Sequence, residues 1–113
     1  MFKYALIVFL TMLLSACKPS DDDMIKFGES LVKQTLKDPD SAKFNSYYRP
    51  FGDGVGYICG TVNAKNSYGG YVGNRNYYVH LTVGNNKIIE SSPVKIIDED
   101  DVKGSENFSS ICQ

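Results

Sequence analysis

The clearest structural signal in the chain is the stretch Asn76-Tyr-Tyr-Val-His-Leu-Thr-Val83, in which apolar side chains recur at every second position. A period of two is typical of a strand with one buried face. The residues predicted to face the core are Tyr77, Val79, Leu81 and Val83. Gly84-Asn-Asn-Lys87 is a tight-turn signature, because asparagine tolerates a positive φ. The stretch therefore predicts a strand that continues through a hairpin into another strand at residues 87–90.

Further strands are predicted on both sides of this one. Residues 42–49 alternate between apolar and polar side chains, and residues 55–64 form a second strand with Ile58 and Val62 on one face. Residues 94–97, after Pro93, extend the sheet or add a strand. We expect residues 98–107, which are acidic and polar, to form a surface loop. Together these segments predict a small antiparallel β-meander of about four strands.

Before the strands, the apolar period changes to that of a helix running from Asp22 to about Lys37. Six apolar residues share one half of its helical wheel: Met24, Ile25, Phe27, Leu31, Val32 and Leu36. Ser20 supplies a capping oxygen at its start, and Pro39 prevents its continuation. Gly28 lies on the apolar side, which predicts a close approach of the sheet or of a partner; the alternative is a glycine that only lowers the helix propensity. The expected fold class is α+β, with one N-terminal amphipathic helix packed on the meander.

The first sixteen residues are apolar except for three, among them the early cation Lys3. This order of a charged start and a short apolar core is typical of a secretory signal. The apolar core of residues 4–14 reaches only about 17 Å as a helix, too little to span a bilayer core of about 30 Å. Two interpretations give Cys17 no role of its own: an ordinary cleaved signal with an incidental Cys17, and a membrane-inserted core helix.

The ending Leu14-Ser-Ala-Cys17 resembles the lipobox of bacterial lipoproteins. The resemblance implies that residues 1–16 are a signal peptide and that Cys17 carries acyl chains such as palmitate. Residues 17–23 would then be a lipidated tether, and residues 24–113 a single α+β domain. In this family the residue after the acylated cysteine helps to sort proteins between the two membranes, and an Asp there is linked with retention at the inner membrane. Lys18 occupies that position here, so we expect an outer-membrane protein facing the periplasm.

Two cysteines, Cys59 and Cys112, remain if Cys17 carries lipid. An even pair in an oxidising compartment predicts a disulfide. Such a bond would fix the otherwise weakly structured segment 108–112 to the second strand. The rival interpretations are a free buried thiol and a thiolate nucleophile.

Composition argues against several function classes. Beyond residue 16 the chain has eleven basic and thirteen acidic residues, whereas binding to a nucleic acid needs a surplus of Lys and Arg. The lone histidine, His80, is predicted to point away from the core, and a catalytic role for it is the weaker interpretation. We predict no metal site, because the chain has no second histidine and no Cys-x-x-Cys pair. The sequence thus predicts neither an enzyme nor a bound cofactor.

The stretch Asn63-Ala-Lys-Asn-Ser-Tyr-Gly-Gly-Tyr-Val-Gly-Asn-Arg-Asn76 is rich in Tyr, Gly and Asn. Loops of this composition are good recognition surfaces, because tyrosine offers a large contact area with little rotamer entropy. The predicted partner-binding residues are Lys65, Asn66, Tyr68, Tyr71, Arg75 and Tyr78. The alternative is a long hairpin whose tyrosines fold back over the sheet edge.

Two further segments carry a pattern: residues 36–44, Leu-Lys-Asp-Pro-Asp-Ser-Ala-Lys-Phe, and residues 58–73, which contain Cys-Gly-Thr-Val-Asn-Ala-Lys-Asn-Ser-Tyr-Gly-Gly-Tyr-Val-Gly. Both segments resemble small bacterial and prophage-encoded lipoproteins. The resemblance implies an envelope protein with one small domain and brings no catalytic residues with it. The leading hypothesis is a non-catalytic membrane-anchored lipoprotein that binds an envelope protein, in phage exclusion or as an accessory to an envelope complex. The alternatives are a periplasmic inhibitor of a cell-wall hydrolase, such as a lysozyme, and a small hydrolase using His80.

Overall fold

The computed structural model describes residues 18–113. The predicted signal peptide, residues 1–16, and the predicted lipidation site Cys17 lie outside the described residues. The described part is α+β and consists of two helices and a five-stranded antiparallel sheet. The elements are α1 (Asp21–Lys33), a short 3-10 helix (Pro39–Ser41), β1 (Lys43–Gly52), β2 (Val55–Asn63), β3 (Arg75–Gly84), β4 (Lys87–Ser91), β5 (Lys95–Ile96) and α2 (Val102–Cys112).

The sheet has five strands, whereas the sequence predicted about four. The additional strand, β5, lies within residues 94–97, which we expected to extend the sheet or add a strand. The strand order is β1-β2-β3-β4, and β5 pairs with β3 as well. β4 pairs with the end of β3 near Gly84, whereas β5 pairs with Tyr77 and Tyr78, so β4 and β5 follow one another along the same edge of β3. Between them, Ser92 exchanges hydrogen bonds with the backbone of His80, and Pro93 interrupts the ladder because it lacks an N–H.

β1 continues through Pro50 to Gly52, beyond the predicted stretch at residues 42–49. Proline cannot donate to a sheet ladder, but it is tolerated on an edge strand, and β1 is one. The register between β1 and β2 shifts between Pro50 and Gly52, which absorbs the irregularity.

The main core lies between α1 and the inner face of the sheet. The four predicted inward residues of β3 are all buried, as are Met24 and Val32 of α1 and Ile58 and Val62 of β2. Gly28 confirms the predicted close approach: a Cβ there would lie 2.5 Å from Cγ1 of Ile58. The Tyr77 hydroxyl shares a hydrogen bond with Ser46, and burial raises the pKa of Tyr77 to about 12.

α1 is shifted and shortened relative to its predicted range of 22–37. It begins at Asp21, because Ser20 and Asp23 form a capping box in which each side chain accepts a hydrogen bond from the other's backbone N–H. Residues 21–23, expected in the tether, therefore belong to the helix. The helix ends at Lys33, and the Thr35 hydroxyl donates to the Val32 carbonyl at 2.7 Å.

The second helix, α2, corrects the expected loop at 98–107 and the expected weakly structured segment at 108–112. Asp101 caps it by accepting a hydrogen bond from the N–H of Gly104 at 2.9 Å, which lowers the pKa of that carboxyl. α2 lies on the outer face of the sheet, where Phe108 and Cys112 pack with Cys59 and Ile97. The predicted disulfide is confirmed between Cys59 and Cys112, whose Cα atoms are 5.9 Å apart.

Candidate protein-binding loop

Residues 64–74, the β2–β3 loop, connect the two central strands. In an antiparallel sheet this connection lies at the opposite end from the β1–β2 and β3–β4 turns. A single bridge between Lys65 and Tyr71 continues the hairpin beyond the strands. The tip of the loop, residues 66–70, is exposed throughout.

Asparagine side chains give the loop a defined shape. Oδ1 of Asn66 accepts hydrogen bonds from the N–H groups of Tyr68 at 3.0 Å and Gly70 at 3.2 Å. Oδ1 of Asn63 likewise accepts from the N–H of Gly73 at 3.0 Å. Gly69 has φ +81°, a conformation that a side chain would strain. The loop is thus held by its own hydrogen bonds although it has little buried surface.

Two further bonds fix the loop to the body of the protein through Ser41. The Tyr71 hydroxyl donates to the Ser41 carbonyl at 2.9 Å, and the N–H of Lys65 donates to the Ser41 hydroxyl at 2.8 Å. The ammonium groups of Lys43 and Lys65 lie 4.6 Å and 5.6 Å from the centre of the Tyr71 ring, within cation–π range. The segments 36–44 and 58–73, which carry the lipoprotein resemblance, therefore meet in space.

Tyr68 and Val72 project from this braced loop. The Tyr68 side chain is 96% exposed, and Val72 is 51% exposed. Within residues 18–113 the Tyr68 hydroxyl has no hydrogen-bond partner. The loop thus presents an aromatic ring and an aliphatic side chain to solvent on a fixed backbone.

A cleft of about 270 Å³ lies at the foot of the loop. Its apolar lining consists of Leu36, Val62, Ala64, Val72 and Ile96. The cations Lys37, Lys65 and Arg75 also line it. Arg75 is paired with Asp98 at 2.6 Å, whereas Lys37 and Lys65 have no ion-pair partner among the described residues. An apolar cleft flanked by unpaired cations suits an apolar side chain with a carboxylate nearby.

The structure places five of the six predicted partner-binding residues in the loop or at the cleft at its foot. Lys65, Asn66, Tyr68 and Tyr71 share the loop, but Asn66 and Tyr71 brace it and Tyr68 projects from it. Arg75 begins β3 at the edge of the cleft.

Tyr78 lies apart from the loop residues, on the outer face of the sheet, because side chains alternate along β3. Its ring is 6.2 Å from that of Tyr57, and both pack against the cluster under α2. His80 is also on this face, with its ring 4.9 Å from Tyr57 and 6.3 Å from Phe51.

Sequence reasoning missed Ser41 and Val72. Ser41 lies thirty residues before Tyr71 and in a different segment, so no local pattern indicates their contact. Val72 was within the predicted loop, and its position beside Tyr71 in Gly-Gly-Tyr-Val-Gly was the available signal.

No protein family, curated protein or solved structure matches this chain. Across residues 18–113, no helix is both long enough and apolar enough to cross a membrane.

Proposed function

We propose that the protein is a non-catalytic bacterial envelope lipoprotein, anchored by acyl chains on Cys17, that binds a protein partner through its β2–β3 loop. The observation that carries this proposal is the combination of a braced backbone with a fully projecting Tyr68. Exposed tyrosines on a fixed loop are good contact residues, because little conformational entropy is lost when they bind.

The cleft beside the loop supports a proposal about the chemistry of the partner. Lys37 and Lys65 flank apolar walls that include Val72. We expect the partner to insert an apolar side chain there and to place a carboxylate near these cations, while Tyr68 packs on its surface. Aromatic residues at the centre of an interface commonly account for most of its binding energy.

The proposed location is the outer membrane, facing the periplasm. The Cys59–Cys112 disulfide supports an oxidising compartment, since such bonds are rare in the cytosol. The lipobox resemblance supports the anchor, and Lys18 after Cys17 supports the outer membrane. Binding of an envelope receptor in this location would suit phage exclusion, and binding of an assembly component would suit an accessory role.

A crosslinking pull-down from intact membranes tests the loop's role. Tyr68→Ala should reduce recovery of the crosslinked partner by about tenfold or more, as expected for a contact worth over 1.4 kcal/mol. The melting temperature should not change, because the side chain is almost fully exposed. Val102→Ala is the matched control, since Val102 is 71% exposed and lies on α2. Equal recovery with Tyr68→Ala and with the unaltered chain would dismiss the loop's role.

A second candidate function is the inhibition of a cell-wall hydrolase. The projecting Tyr68 on a rigid loop favours it, because a plug in an enzyme cleft needs this shape. The protein should then inhibit a muramidase, and Tyr68→Ala should relieve the inhibition. Full muramidase activity in the presence of excess protein would exclude this candidate.

A further inference from the structure

The outer face of the sheet is only partly covered. α2 covers the region around Cys59, at the end of the sheet nearer the β2–β3 loop. Toward the other end, Phe51 is 70% exposed and Ile89 is 60% exposed. Phe51 lies next to the β1–β2 turn, and Ile89 lies in β4, which follows the β3–β4 turn. This end, here called the turn end, therefore presents two large apolar side chains to solvent.

The described chain begins at the same turn end. Nζ of Lys18 is 3.2 Å from the carboxylate of Asp53 in the β1–β2 turn. Lys18 and Pro19 also line a shallow cleft together with Asn85 and Asn86 of the β3–β4 turn. Only one peptide bond separates Cys17 from Lys18, and consecutive Cα atoms are about 3.8 Å apart. An acyl anchor on Cys17 would therefore hold the turn end close to the lipid.

We propose that the turn end rests on the bilayer that holds the acyl chains, with Phe51 and Ile89 in its interfacial region. This proposal rests on the proposed acylation of Cys17. Anchored within one residue of Lys18, the turn end cannot move far from the lipid headgroups. Aromatic side chains favour the boundary between headgroups and acyl chains, and burial of apolar surface there is favourable.

The occupant of this surface is a zwitterionic phospholipid bilayer rather than a strongly anionic one. Lys18 and Lys87 lie at the turn end, but so do Asp21, Asp22 and Asp53. This mixture provides no net positive patch that would attract anionic lipids. The apolar side chains and the acyl anchor therefore supply the attachment.

This orientation places the β2–β3 loop away from the membrane. β2 runs from Val55 to Asn63, and nine extended residues span about 27 Å. Tyr68 is therefore presented to partners beyond the headgroup layer, while the opposite end of the same sheet contacts lipid.

The chain contains no tryptophan, so a single introduced tryptophan reports its own environment. The experiment uses the acylated Phe51→Trp protein, purified from bacterial membranes, in phosphatidylcholine vesicles whose acyl chains carry brominated or spin-labelled quenchers near the headgroups. The emission of Phe51→Trp should shift to shorter wavelength and lose most of its intensity. The matched control, Tyr68→Trp, should emit as a water-exposed indole and stay unquenched.

Flotation of the same vesicles separates this inference from the anchor on which it rests. Protein that floats with the vesicles while Phe51→Trp stays unquenched would overturn the membrane contact and leave the anchor intact. Equal quenching of both variants would overturn the proposed orientation. Protein that does not float at all would overturn the anchor, and the membrane contact with it.

Discussion

Asn66 holds the shape of the β2–β3 loop with one side-chain oxygen. That oxygen accepts from two backbone N–H groups, those of Tyr68 and Gly70, which flank the φ +81° residue Gly69. Sequence composition marked Asn66 as a contact residue, but the structure assigns it a bracing role. Exposure alone does not distinguish these roles, because the side chain of an exposed loop residue can still form hydrogen bonds with the neighbouring backbone.

We predict that Asn66→Ala weakens partner capture although Asn66 need not touch the partner. Loss of the acceptor lets the loop sample other shapes, which raises the entropy lost on binding. Amide hydrogen exchange at Tyr68 and Gly70 should become faster, and the melting temperature should change little. Asn66→Asp keeps an acceptor oxygen and should restore both slow exchange and capture. Unchanged exchange in Asn66→Ala would contradict the bracing role.

At the scale of elements, α1 is held against the sheet through Gly28. The helix approaches β2 so closely that Ile58 occupies the space that a side chain at Gly28 would need. This contact was predictable, because a glycine on the apolar side of an amphipathic helix indicates close packing. The alternation of buried and partly exposed side chains along β3 was also predictable, because one face of the strand is buried over almost its whole length.

Gly28→Ala should destabilise the protein by about 1–3 kcal/mol, because overpacking outweighs the gain in helix propensity of about 1 kcal/mol. Ser30→Ala is the control, since Ser30 is an exposed residue of the same helix and should change stability by less than about 0.5 kcal/mol. Urea unfolding followed by circular dichroism measures both variants. A Gly28→Ala variant more stable than the unaltered chain would show that α1 can move away from Ile58.

α2 could not be predicted from its sequence. Only three of its residues are buried, Gly104, Phe108 and Cys112, and the rest of its eleven residues are mostly polar. These three positions recur at helical spacing, but Phe108 is the only large apolar side chain among them, so the hydrophobic signal is weak. The helix is instead stabilised by the Asp101 cap at one end and by the disulfide at the other. The cap depends on a single residue and the disulfide on the tertiary fold, so neither produces a repeating pattern in the sequence.

At the scale of the whole molecule, the disulfide joins the last residues of the chain to a central strand. Cys59 and Cys112 are separated by 53 positions. On the chain-entropy account, a loop of this length contributes about 4 kcal/mol to stability. The second hydrophobic cluster, which holds α2 on the sheet, includes both cysteines.

Reduction should therefore lower the urea midpoint and expose α2 to proteolysis near residues 98–102, while the α1–sheet core remains folded at low urea. A Cys59→Ala/Cys112→Ala variant should behave like the reduced protein and should not respond further to reductant. Identical midpoints with and without reductant would show that the disulfide contributes nothing to stability.

Sequence patterns predicted the disulfide between Cys59 and Cys112, the buried face of β3 and the loop between β2 and β3. They did not reveal that Ser41 and Tyr71 meet, or that Lys18 contacts the turns at the far end of the sheet, because both contacts depend on the tertiary arrangement of distant segments. The proposed arrangement of the molecule, with lipid at one end and a partner at the other, uses those contacts and rests on the proposed acylation of Cys17.

The anchor at Cys17 is the claim on which the location and the orientation depend. Intact-mass spectrometry of the protein purified from bacterial membranes tests it most directly. We predict a chain that begins at Cys17 and carries the added mass of several acyl groups. A product that retains residues 1–16 and has no acyl mass would contradict the account.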